Sequence, residues 1–161
     1  MKILLALDPS THTMDEAIKI AIEKQASLTA LFVVDATWNE YTAHDWLSGS
    51  GSRADFLEYA RDCQLVSETD SFAAFQKRCP FACEMKSAVG RVTDEIIREL
   101  ADEEYDLLVM SHPFRRGLEI VRDTAGTVLK EVNCSVYLVR ENPLHCPAET
   151  GQHSSLEALD S

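Results

Sequence analysis

Two short aliphatic runs, each ended by an aspartate and separated by one amphipathic helix, constrain this chain more than any other feature. Ile3 to Leu7 is continuous and apolar and gives way to the turn Asp8, Pro9, Ser10. A run without alternation suits a parallel strand buried on both faces. Thr13 and Glu16 have the spacing of a capping box, and Met14, Ala17, Ile18, Ala21 and Ile22 then recur at helical intervals. Leu28 to Val34 is a second β-rich run, closed by Asp35. Strand, helix, strand within thirty-five residues is a βαβ unit, whose crossover is right-handed almost without exception.

The rest of the chain repeats the alternation. Residues 36 to 52 lose periodicity in a Gly and Ser cluster, the mark of a surface connection. From Arg53 to Arg78, Phe56, Ala60, Cys63, Phe72 and Phe75 have helical spacing, with a break expected near Glu68; Pro80 forces a stop and biases Cys79 out of the helix. Phe81 to Ser87 reads as a short strand and Gly90 as a turn. Val92, Ile96, Ile97, Leu100 and Ala101 read as the core stripe of a third helix, and Asp106 to Met110 as a buried strand. A last helix carries Ala125, Val128, Leu129 and Val132 on one face, with Asp123 placed to cap it, before a final strand from Ser135 to Val139. The expected fold is α/β: a Rossmann-like open, five-stranded, mostly parallel sheet with helices on both faces. In such a sheet, ligands sit beyond the carboxyl ends of the strands at the switch point.

Length and charge narrow the function. The 161 residues suit one domain, expected over 1–140. Residues 141–161 carry four acids, two prolines and no Lys or Arg, and are expected to form an acidic disordered tail. The net charge of −12 repels phosphate backbones and anionic headgroups, so neither nucleic acid nor membrane is an expected partner. The opening MKILLALD is too short and too poor in cleavage features for a membrane or secretory segment, and a cytoplasmic location is expected. Five cysteines at irregular spacings without CxxC suggest reduced thiols rather than a disulfide framework or a metal site. Cys79 and Cys83 are close enough for a redox pair, although buried thiols are the commoner case. His112 reads as a surface loop histidine. No Walker loop, HExxH, paired-carboxylate arrangement or metal spacing appears, and no catalytic residue is assigned.

Three stretches resemble the universal stress protein family: KILLALDPS at the start, LTALFVVD, and YDLLVMSHPFRRGL followed by TVLKEVNCSVYLVR. The resemblance runs in order over residues 2 to 140 and implies an adenine nucleotide alpha hydrolase-like fold. The nucleotide-binding branch of that family resembles GxxG, nine residues, then Gly with Ser or Thr. Here Ser111 and Phe114 stand at the first two glycines and Thr124 and Ala125 at the last pair. Aligned from the final strand, the last pair falls on Arg122 and Asp123 instead. The resemblance is therefore to the branch without the glycine motif. Phe114 obstructs close approach of the backbone to a phosphate, and a carboxylate at Asp123 occupies the helix terminus that an anion would use.

Other residues keep a ligand in play. Arg115, Arg116 and Arg122 form a local excess of positive charge, either a phosphate clamp or, the preferred reading, a solvated loop paired with Glu119 and Asp123. Asp8, Val34 and Met110 match the adenine end of the family site, while Asp8 equally suits an Asx turn, the preferred role. The resemblance further implies that the last strand pairs with its twin in a homodimer through Val136 and Leu138; alternatively the tail covers that edge. The expectation is a non-enzymatic, dimeric stress-response protein that acts through protein contacts, needs no cofactor and does not hydrolyse ATP. The alternatives are an adenine-nucleotide sensor for ATP, AMP or cyclic AMP with a degenerate phosphate loop and, less favoured, a nucleotide hydrolase.

Overall fold

In a computed structural model, residues 1–36, 50–112, 114 and 124–140 are described; in the first turns of the second helix the side chains described are Asp55 and those from Glu58 onward. These residues form strands β1 (Lys2–Ala6), β2 (Ser27–Asp35), β3 (Glu84–Gly90), β4 (Leu107–His112) and β5 (Ser135–Arg140), with helices α1 (Thr11–Lys24), α2 (Ser50–Arg78), α3 (Val92–Asp102) and α4 (Thr124–Glu131). The sheet order is β3-β2-β1-β4-β5, and every adjacent pair is parallel. The chain winds outward from β1 in one direction, then returns to the other side at β4, so the switch point lies between β1 and β4.

Alternation along β1 explains why its run is continuous. Ile3 and Leu5 face α1 and α2, in a core with Met14, Ala17, Ile18, Ala21, Phe32 and Phe75. Leu4 and Ala6 face α3 and α4, in a second core with Val92, Ile96, Leu108, Met110 and Val128. Successive strand side chains point to opposite faces, so a strand covered on both sides must be apolar at every position. Burying each large aliphatic side chain contributes roughly 1.5–3 kcal/mol.

Several element boundaries differ from the sequence expectation, each for a physical reason. The α1 cap is Ser10, not Thr13: the Ser10 hydroxyl accepts from the Thr13 amide, and the helix starts at Thr11. Ile22, expected in the core stripe, is exposed, and so are Ala101 and Leu129. α2 runs through Glu68 without a break. Its buried line is Ala60, Gln64, Ser71 and Phe75, and the two polar members disguise the period. β3 starts at Glu84, not Phe81, because Pro80 has no N–H and pairing with β2 begins at Thr29 opposite Glu84. Gly90 ends that strand and is not a turn; a Cβ there would meet the Glu95 carboxylate of α3 at 2.5 Å. His112 is the last residue of β4, not a loop residue. The tail, the 37–49 connection, Glu119 and Asp123 lie outside the described residues.

Candidate functional site

At the switch point the described residues bring together short hydroxyl side chains and one buried carboxylate. Asp8 follows β1, is buried, and accepts the Ser10 amide at 3.0 Å, an Asx turn that holds Ser10 in the extended conformation of a cap. From α1, the buried Thr13 hydroxyl donates to Ser10 Oγ at 3.0 Å and lies 2.6 Å from Ser111 Oγ at the end of β4. With the Thr13 proton given to Ser10, the Ser111 hydroxyl donates to Thr13. A neutral chain, Ser111 to Thr13 to Ser10, therefore bridges the switch point and ties β4 to the start of α1. The sequence pattern points to Thr13 as a helix cap; the Ser-x-x-Thr spacing after the first strand is the signal for this bridge.

Thr124, the first residue of α4, is 2% exposed, and its Oγ1 has no hydrogen-bond partner among the described residues. A buried hydroxyl without a partner carries a desolvation cost of about 1–3 kcal/mol, so among the described residues it is a polar atom with unused capacity. Phe114 is 4% exposed and packs in the second core with Met110, Ala125 and Val128. Met110 is likewise a fully buried core side chain. Val34 lies in the first core and borders a cavity of about 750 Å³ between α2 and the carboxyl ends of β2 and β3, with Asp35, Glu58, Arg61 and Glu68 on its walls. Of the residues singled out in the sequence, Asp8, Ser111 and Thr124 reach the carboxyl edge of the sheet, and Val34 is the last but one residue of the neighbouring strand. Arg115, Arg116, Arg122 and Asp123 lie outside the described residues.

The chemistry of this cluster is that of neutral donors and acceptors suited to oxygen atoms. Among the described residues no group of three or more His, Cys, Asp or Glu side chains could hold a metal ion, and no helix is long and apolar enough to cross a membrane. Cys79 and Cys83 sit half-buried against the first core, with Cys79 Sγ donating to the Phe81 carbonyl at 3.4 Å. Burial, and then the adjoining Cys79, push the Cys83 thiol up to about 11. At neutral pH it stays protonated and a poor nucleophile, which weighs against a redox role.

Comparison with known proteins identifies the fold and the family. The universal stress protein UspA from Lactobacillus plantarum has a similar structure, with a TM-score of 0.64, 23% identity, and coverage of 87% of this chain and 97% of that one. A universal stress protein in complex with cAMP gives a TM-score of 0.52 at 16% identity, covering 87% and 96%. A family protein from Arabidopsis thaliana with AMP bound gives 0.52 at 17%, covering 94% and 98%. These likenesses concern the fold. No curated protein matches the sequence. The model of the universal stress protein family matches residues 1–140, and this chain belongs to that family.

Proposed function

We propose that this chain is a non-enzymatic, cytoplasmic member of its family that acts as a homodimer through protein contacts, with the phosphate end of the family's nucleotide site closed by its own side chains. The observation that carries this reading is the state of Ser111 and Phe114. Ser111 stands where a glycine would expose backbone N–H groups to a phosphate, yet its hydroxyl is bonded to Thr13. Phe114, at the second glycine position, is sunk into the α3–α4 core. Opening this loop to a triphosphate means extracting a buried phenyl ring, a cost of about 3 kcal/mol or more. For the dimer, the support is that β5 is the outer strand of the sheet with Tyr137 41% exposed and Val136 and Leu138 half-buried. An apolar outer strand is a pairing surface.

A second reading, an adenine-nucleotide sensor, draws support from the unpartnered Thr124 hydroxyl at the start of α4 and from the cAMP and AMP held by the similar structures. Calorimetric titration with ATP, AMP and cyclic AMP separates the two. The first reading expects no heat with the wild type and gain of binding in Ser111→Gly/Phe114→Gly. Micromolar binding by the wild type that disappears in Arg115→Ala/Arg116→Ala would overturn it in favour of the sensor. Sedimentation equilibrium tests the dimer: Val136→Lys/Leu138→Lys should yield monomer, and a monomeric wild type would refute that part.

A further inference from the structure

The outward flank of α2 is apolar and acidic together, and it borders a groove. Tyr59, Cys63, Val66 and Asp70 recur at helical intervals on one stripe; Tyr59 is 68% and Val66 60% exposed, and Cys63 is exposed too. Cys63, Val66, Asp70 and Ala74 line one wall of a groove of about 530 Å³, closed on the other side by Pro9 and Met14. Large apolar side chains exposed at this density mark an interaction surface more often than a solvated helix.

The charge on this flank selects the occupant. Asp70 stands exposed on the stripe and Asp62 exposed beside it, with no ion pair or hydrogen bond to any described residue. Arg61 lies on the opposite flank of α2, at the cavity shared with β3. Among the described residues no Lys or Arg lines the groove. We infer that this groove docks a basic amphipathic helix of another protein, its apolar face against Val66, Cys63 and Ala74 and its lysines or arginines against Asp62 and Asp70. Helices seat in such grooves through anchors at i, i+3 or i+4 and i+7, the spacing that the α2 stripe itself presents. Two internal occupants are electrostatically wrong. The chain's own residues 141–161 carry four acids and no Lys or Arg, and a second copy brings a net charge of −12. This inference rests on the reading of the chain as a contact-making module and names the chemistry of one contact, away from β5 and the switch point.

The test uses the full chain and two synthetic amphipathic peptides that share a leucine face, one with lysines and one with glutamates on the polar face, followed by fluorescence anisotropy. The lysine peptide should bind, more weakly as salt rises, and the glutamate peptide should not. Val66→Asp, and separately Asp62→Lys/Asp70→Lys, should weaken binding about tenfold or more. Asp102→Lys/Glu104→Lys, which alters net charge equally on another face, should leave it within about twofold. Equal loss in both charge-reversal pairs would reduce the effect to bulk attraction and overturn the inference. So would unchanged binding in Val66→Asp, or a shift of the peptide-free protein from dimer to monomer in that variant, which would make a second copy the occupant. Circular dichroism melting confirms that each variant is folded. Because no nucleotide enters the assay, failure here alongside silent nucleotide calorimetry removes the helix-docking groove and leaves the closed phosphate site standing.

Discussion

The two ends of the sheet handle buried polarity in opposite ways. At the amino end, Lys2 and Lys86 both pair with Glu103, Lys86 also pairs with Glu99 at 2.7 Å, and the Tyr105 hydroxyl donates to Glu99 at 2.8 Å. Lys2 also lies 4.7 Å from the centre of the Tyr105 ring. Each charge has a partner, and the result fastens α3 to β1 and β3. At the carboxyl end hydroxyls join the buried Asp8 carboxylate in a chain of hydrogen bonds across the switch point, and one hydroxyl, Thr124, has no partner among the described residues. Saturated polarity reads as structure, and polarity with spare capacity reads as a place where a ligand or a water can add bonds.

The largest way to break this contrast is Phe114→Ala. Removing a buried ring from the second core should cost about 3–5 kcal/mol in urea unfolding; a loss below about 1 kcal/mol would show that Phe114 does not anchor the loop after β4. Thr13→Val comes next. It deletes a hydroxyl bonded on both sides and leaves Ser111 without its partner, for about 1–3 kcal/mol. If stability is unchanged, the bridge across the switch point is not an element of the fold.

At the amino end the sensitive variable is acid. The hydrogen bonds from Lys2, first, and then Lys86 hold the Glu103 carboxyl down at about 2, below its ordinary value of 4.5. A lowered carboxylate contributes stability that is fully present above about pH 4.5 and is lost as pH falls toward 2. Glu103→Gln should therefore flatten the acid limb of a stability–pH curve while leaving Thr13→Val with the wild-type slope. A wild-type acid limb in Glu103→Gln would mean that the cluster is no fastening. The smallest effect is expected at Thr124→Val, near zero or stabilising by up to about 1 kcal/mol, since the hydroxyl it removes has no partner among the described residues. Destabilisation by 2 kcal/mol or more would reveal a bond to a bound water or ligand and sharpen the case for the sensor.

How much of this was legible beforehand differs by element. β1 and β2 were plain because strands buried on both faces are apolar at every position, and α1 because one flank of it is. The continuity of α2 was hidden by Gln64 and Ser71 on its buried line, where the Asp35 amide donates to the Gln64 carboxamide oxygen at 3.4 Å. Asp8, Ser111 and Thr124 could be placed near the carboxyl edge from the order of elements. That Ser10, Thr13 and Ser111 are bonded to one another could not, because two of those residues and the third are almost a hundred positions apart.

By itself the sequence determined the α/β alternation and the family, since both are written in local pattern and residue type. Only the tertiary structure decided the strand order, the partner of each polar group and the fate of Phe114. Those depend on which distant segments the core brings together, and hydrophobic burial is indifferent to sequence separation.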